Sequence, residues 1–222
     1  MADGLDPGSD FTGAETKKDD KKQRVIEAAK ACFVESGFHG ARMAQIAKRA
    51  QMSPGLIYHY FASKEEIIGA IVQDHLEGKK AVQSEIQATS GPFVDAFLAR
   101  IDAGFEQATD PFFSALTLEI TAEASRNAQI AELVREADGE IRQMLMSGIS
   151  RGEKVSELEA RAEVFLAIMQ GLGMRTVRHP DMDREAVFAL LTRMIRVLFS
   201  PDIDRCRHDD GLKTSSTHPQ SE

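Results

Sequence analysis

The segment GFHGARMAQIAKRAQMSPGLIYHYFASKE, from Gly37 to Glu65, decides the fold of this chain. Its first half has apolar residues at i, i+3, i+4 and i+7, the spacing of one face of a helix. These residues are Met43, Ile46, Ala47 and Ala50. A short interruption follows, and then Ser53 and Pro54 form a helix start, with an N-cap serine before a proline at the first helical position. The segment therefore predicts two short helices joined by a tight turn.

The second of these helices is predicted from Pro54 to Phe61 and carries three successive polar-tipped rings, Tyr58, His59 and Tyr60. Because successive helical residues lie about 100° apart, three rings in a row cannot all face the core. At least one is expected to point outward, close to Lys64. Exposed rings beside a cation suit a helix that lies in a DNA groove, with rings against sugar and methyl groups and the cation on phosphate.

These residues resemble the DNA-binding domain of the TetR family of transcriptional regulators (TetR/AcrR type). The resemblance rests on Gly37-Phe38, Gln45-Ile46-Ala47, the run from Ser53 to Phe61, and Ser63-Lys64-Glu65-Glu66, and it covers roughly Lys21 to Val72. It implies an all-α protein of about nine helices, with an N-terminal three-helix helix-turn-helix domain and a C-terminal helical domain for ligand binding and dimerisation. We expect disordered tails over 1–20 and 201–222, the DNA-binding domain over 21–72, and the effector-binding and dimerisation domain over 73–200.

The resemblance also implies a DNA-binding surface. Its residues are Arg42, Met43, Ser53, Pro54, Gly55, Tyr58, His59, Tyr60 and Lys64. Family members usually carry Thr or Ser where this chain has Arg42, so a charge contact with phosphate could replace the usual helix cap. Gly55 permits close approach of the backbone to DNA. Tyr60 is expected to be partly buried as a brace, and Lys64, at a helix start where the dipole disfavours cations, suggests an external phosphate.

Charge is distributed unevenly along the 222 residues, whose net charge is −8. From Lys17 to Lys64 there are ten Lys and Arg residues and four Asp and Glu residues, a net charge of +6, so the remainder carries −14. A basic segment attached to an acidic remainder is expected of a regulator that grips phosphates at one end only.

The remainder of the chain predicts long helices with apolar stripes. The last two, at about 156–177 and 183–199, include a 4-3-4 apolar spacing (Val187, Leu191, Met194, Leu198) that predicts a seam for another helix. In the resembling family the last two helices form a four-helix bundle with those of the partner, which implies a homodimer here.

The predicted body is also rich in phenylalanine, with five residues between Phe93 and Phe113 that are either core or the lining of an effector pocket, as the resemblance implies. The candidate pocket residues are Phe97, Phe105, Phe112, Phe113, Leu116, Glu119, Met144 and Met169. Glu119 and Glu123 lie four residues apart and could face either a cationic ligand or solvent.

No sequence pattern indicates an enzyme. There is no phosphate-binding glycine loop, no Gly-x-Ser-x-Gly motif, and no His-x-x-x-His or Cys-x-x-Cys metal spacing. Cys32 and Cys206 define neither a disulfide framework nor a metal site, so no cofactor and no metal are expected. Without a signal peptide or a run of eighteen apolar residues, the chain is expected to be cytoplasmic and not to enter a membrane.

The function implied is that of a ligand-responsive regulator, a repressor that binds a palindromic double-stranded DNA operator as a homodimer and is released by a small-molecule effector. Two alternatives stay open at this point. One is a small-molecule binding protein with a vestigial helix-turn-helix, and the other is an enzyme whose site has no sequence signature.

Overall fold

A computed structural model describes residues 10–149 and 155–199, with side chains described from 18 to 148 and from 155 to 199. Within these ranges the chain forms ten α-helices and no strand, which confirms the predicted all-α fold class. The helices are α1 (Asp10–Gly40), α2 (Met43–Arg49), α3 (Pro54–Tyr60), α4 (Lys64–Ala88), α5 (Phe93–Leu98), α6 (Ile101–Ala108), α7 (Pro111–Ala124), α8 (Ala128–Ile149), α9 (Val155–Arg178) and α10 (Arg184–Leu198).

The first helix is longer than predicted. It begins at Asp10, so residues 10–20, expected to be part of a disordered tail, are helical. Gly37 interrupts it with φ 70° and ψ 164°, a conformation that glycine adopts far more readily than other residues. The predicted disorder of residues 1–9 and 201–222 falls outside the described ranges.

The apolar residues of the segment from 92 to 108 predict one helix, but the structure has two there. Arg100 has φ −126° and ψ 0°, which breaks the helical geometry and separates α5 from α6. This break accounts for a tenth helix where about nine were expected. The predicted helix start at Ser53 is confirmed, because its hydroxyl oxygen accepts a hydrogen bond from the backbone N–H of Leu56 at 3.3 Å. Ser63 caps α4 in the same way, accepting from the backbone N–H of Glu66 at 3.3 Å.

Buried apolar residues form two cores, which we call the head core and the body core. The head core is built from α1 to α4 and includes Leu116 of α7 and Ile130 of α8. The body core joins α5, α6, α9 and α10, with Ile86 of α4 and Leu145 of α8. Helices α4 and α8 therefore contribute to both cores, and α7 contributes to the head core. The head is thus packed directly against the body.

Helix α4 connects the two cores along its length. Ile67, Ile68 and Ile71 are buried in the head core, while Ile86, near the other end, is buried in the body core. The helix has 25 residues, which corresponds to roughly 37 Å at 1.5 Å per residue. The predicted boundary between residues 72 and 73 lies inside this continuous helix, so a shift of α4 in the body moves the head as well. None of the described helices is both long enough and apolar enough to cross a membrane.

Candidate nucleic-acid interface

Helix α3 divides sharply into a buried face and an exposed face. Ile57 and Phe61 are 0% and 3% exposed and belong to the head core, because residues four apart lie on the same face of a helix. Tyr58 is 55% exposed, and His59 is exposed beside it. Tyr60 is half-buried and packs against the head core, which agrees with the bracing role predicted for it.

The start of α3 leaves its backbone accessible. Ser53, Pro54 and Gly55 are all exposed, and a Cβ atom built on Gly55 would meet nothing within 4 Å. The free protein therefore does not require glycine at this position for packing. Open space over the first turn of a helix is what close approach of a phosphate backbone needs.

Arg42 lies at the N-terminus of α2, where its backbone N–H donates to the side-chain oxygen of Gln45 at 2.9 Å. The Arg42 side chain is exposed, and its guanidinium makes no ion pair with any residue of the described ranges. Met43, by contrast, is half-buried against the head core, so only part of its side chain faces outward. Of these two predicted contacts, Arg42 is the more available to DNA.

Lys64 has partners inside the protein that sequence reasoning did not anticipate. Its ammonium donates to the backbone carbonyl of Phe38 and lies 4.4 Å from the centre of the Phe38 ring. These contacts hold the segment before α2 against the start of α4. An ammonium group has three N–H donors, so this bracing contact leaves donor capacity for a phosphate.

Two family models match the chain in its two halves. The model described as "Bacterial regulatory proteins, tetR family" matches residues 25–71, and the "BetI-type transcriptional repressor, C-terminal" model matches residues 95–200. The chain belongs to the TetR family. It is a ligand-responsive, DNA-binding repressor of transcription.

TetR-family relatives match over most of the chain. UidR, an HTH-type transcriptional regulator of Escherichia coli K12, is 29% identical over 182 residues, which covers 79% of this chain and 90% of UidR. BetI of Serratia proteamaculans is 29% identical over 181 residues, covering 79% and 90%. The solved structure of Salmonella enterica GusR is 28% identical, with a TM-score of 0.63 over 81% of this chain and 95% of GusR.

Glu119, one of the predicted effector contacts, lies beside the head of this TetR-family chain. Its carboxylate accepts a hydrogen bond from the backbone N–H of Phe38 at 3.3 Å, and a Cβ on Gly37 would lie 3.4 Å from the same oxygen. Glu123 is buried one turn further along α7, with its Oε2 3.0 Å from Nε2 of His39. Both carboxylates thus face the turn before α2. The sequence contained no signal for this pairing because the partners lie far apart in the chain.

The other predicted effector residues are dispersed rather than gathered into one pocket. Phe97, Phe105 and Met169 belong to or pack against the body core, whereas Leu116 is in the head core. Phe112 is 42% exposed. The backbone carbonyl of Met144 accepts a hydrogen bond from the side chain of Gln83 at 3.1 Å. Phe113 stands apart because its ring lies 5.2 Å from that of His75. Sequence reasoning missed His75 and its neighbour Lys79, although their i, i+4 spacing on α4 was visible.

Proposed function

We propose that two copies of this chain bind one palindromic operator, with each α3 helix entering the major groove of a half-site. The observation that carries the proposal is the exposed Tyr58 and His59 on a helix whose opposite face, Ile57 and Phe61, is fixed in the head core. The proposed contacts are Arg42, Met43, Ser53, Pro54, Gly55, Tyr58, His59, Tyr60 and Lys64. Within this set, Tyr58 and His59 read bases and sugars, while Arg42 and Lys64 contact phosphate.

We further propose that α9 and α10 form the dimer interface. Large apolar side chains on these helices are between 44% and 60% exposed: Val164, Met174, Val177, Leu190, Met194 and Val197. An exposed apolar set of this kind marks a protein interaction surface. Of the predicted seam, Leu191 is buried, Val187 and Leu198 are half-buried against the body core, and Met194 is exposed. The same helices are proposed as in the sequence prediction, but with a different face.

The effector is proposed to bind in the body, over 73–200, and to release the operator. It does so by favouring a conformation in which the two α3 helices no longer match the groove spacing. A ligand can shift this equilibrium only by its difference in affinity between the two conformations. We propose a cytoplasmic protein without enzymatic activity that represses a neighbouring operon, for efflux or catabolism.

The experiment that tests this function is a selection of bound fragments from genomic DNA by the purified protein, followed by sequencing. A shared palindrome among the enriched sites is expected, and the Tyr58→Ala variant run in parallel serves as the control for specific readout. If the wild type enriches no sequence at low salt, the operator proposal fails. In that case a small-molecule binding protein with a vestigial helix-turn-helix becomes the better interpretation.

A further inference from the structure

A group of polar side chains lies between α4, α6 and α7, and we call it the Lys79 cluster: His75, Lys79 and Gln107, with the ring of Phe113. The Lys79 ammonium donates to the side-chain oxygen of Gln107 at 3.0 Å. One turn earlier on α4, the His75 ring lies 5.2 Å from the Phe113 ring at an interplanar angle of 35°. All four side chains are half-buried. Two nitrogen-bearing side chains of one helix face thus meet an amide and an aromatic ring.

The Lys79 cluster contains a cation that has no counter-ion among the residues that the structure describes. The carboxylates nearest to it in sequence are committed to other partners: Asp74 to Lys30 at 3.0 Å, Glu77 to Gln73 at 2.6 Å, Glu106 to Arg184 at 2.6 Å, and Asp110 to the backbone N–H of Phe113 at 2.7 Å. Lys79 makes no ion pair within the part of the chain that the structure describes. Burying an ammonium without an opposite charge is costly, so the cluster is electrostatically incomplete.

The titration behaviour of the two basic groups reflects this environment. Burial lowers the pKa of Lys79 below its ordinary value. Burial, followed by the nearby charge of Lys79, lowers the pKa of His75 to about 4, against a smaller raising effect of Asp74. His75 is therefore a neutral imidazole at pH 7, with one N–H to donate. An anion beside Lys79 would favour its charged form and raise its pKa again.

Hydrogen-bond donors outnumber acceptors in the Lys79 cluster. Lys79 uses one of its three donors on Gln107. The His75 ring and the side-chain N–H groups of Gln107 donate no hydrogen bond to the described residues. Lys79, His75 and Gln107 therefore each keep donors that are unused within the described residues, and the Phe113 ring beside His75 offers an apolar surface.

We propose that the Lys79 cluster is the effector site and that the effector carries a carboxylate, held by Lys79 and Gln107 with its apolar part beside Phe113. This inference rests on the proposed function in taking release by a small molecule as given. A single cation favours a monoanion over a dianion, and two-oxygen carboxylate geometry suits donors from an ammonium and an amide. His75 lies one turn from Ile71 of the head core, so an occupied site acts on α4 where that helix enters the head.

The test uses the purified full chain and three carboxylates of increasing size: acetate, benzoate and octanoate. Each is compared with its neutral amide, which has a similar shape but no charge. We expect at least one carboxylate to raise the melting temperature by about 3 °C or more beyond its amide. This difference should disappear in Lys79→Met and persist in Lys80→Met. Lys80 is a matched control because it lies next in α4 and is already paired with Glu140 at 2.9 Å.

Two outcomes overturn the inference: no carboxylate exceeds its amide in the wild type, or the excess survives in Lys79→Met. Affinity for the selected operator, measured separately by fluorescence anisotropy, distinguishes this failure from failure of the proposed function. If the protein binds its operator normally but no carboxylate effect depends on Lys79, only the inference about the effector site is contradicted. A Lys79-dependent carboxylate effect in a protein that enriches no operator removes the repressor mechanism and leaves the anion site standing.

Discussion

His39 Nε2 lies 3.0 Å from Glu123 Oε2, joining the turn before α2 to helix α7 of the body. The His39 side chain is 71% exposed, whereas that of Glu123 is only 4% exposed. Arg126 also approaches the same oxygen, at 3.5 Å, and Asn127 donates to the other oxygen at 3.4 Å. The buried Glu123 Oε2 thus has a basic side chain of the DNA-binding head beside it but accepts no hydrogen bond within the described residues, so a movement of α7 changes the environment of that turn.

The first prediction concerns this pair. In a double-mutant cycle with His39→Ala and Glu123→Gln, we expect a coupling of about 0.5–3 kcal/mol in the free energy of unfolding, because one partner is buried. The exposed pair Lys80 and Glu140, 2.9 Å apart, is the control and should give about 0–1 kcal/mol. Urea unfolding of the two cycles measures both values. A His39–Glu123 coupling no larger than that of the control pair would show that the contact does not link head and body.

The second prediction concerns Gly37. Gly37→Ala should destabilise the protein by roughly 1–3 kcal/mol, because φ 70° with ψ 164° is strained for any side chain. The added methyl group would also lie 3.4 Å from the Glu119 carboxylate. Gly78→Ala, in the interior of α4 with nothing within 4 Å of the new atom, is the control and should gain about 0.5–1 kcal/mol. Thermal unfolding measures both, and equal effects would contradict the assigned backbone strain.

The third prediction concerns operator contact. Tyr58→Ala should weaken operator binding by about 1–3 kcal/mol without changing the melting temperature, because the side chain is 55% exposed and supports no core. The control is Val82→Ala, which removes an exposed apolar side chain from α4 in the body. Fluorescence anisotropy on the selected operator measures both affinities. Wild-type affinity in Tyr58→Ala would remove this residue from the interface.

The fourth prediction concerns the dimer. Leu190→Glu should convert the protein to monomers at micromolar concentration, because it places a charge in a surface that is proposed to be covered by a second copy. Val82→Glu introduces the same charge at an exposed apolar position outside α9 and α10 and should leave the assembly unchanged. Sedimentation velocity measures both. If Leu190→Glu sediments like the wild type, α10 does not form the interface through this face.

The fifth prediction concerns acid stability. His75 has a folded-state pKa of about 4, below the ordinary value of 6.5, so the unfolded chain binds this proton more readily. Stability is therefore lost as the pH falls from about 6.5 to 4, by at most about 1.4 kcal/mol per pH unit. His75→Gln should lose less stability over this window than the wild type, because it lacks the group whose pKa differs between the folded and unfolded chain. Urea unfolding at several pH values tests this, and identical pH profiles for His75→Gln and the wild type would contradict it.

The helix-turn-helix could be predicted from the sequence because it depends on residues a few positions apart. The Ser53 cap, the proline after it, and the four-residue spacing of Ile57 and Phe61 specify α3 through local hydrogen bonding and helical periodicity. The exposure of Tyr58 follows from the same geometry. The contacts of this surface with DNA remain a prediction, because no single-chain property reports them.

Tertiary structure decided the partners of the charged groups. Lys64 reaches the Phe38 carbonyl, Glu119 the Phe38 N–H, and Lys79 the Gln107 amide, each across a separation in sequence that no helical period encodes. It also decided which stripe of α10 faces outward, since the body core takes Leu191 and leaves Leu190 exposed. Local periodicity fixes where a helix runs and that it has an apolar side. Only the packing of distant helices decides which polar side chains become buried next to one another. Lys79 and Gln107 of the candidate effector site are brought together in this way.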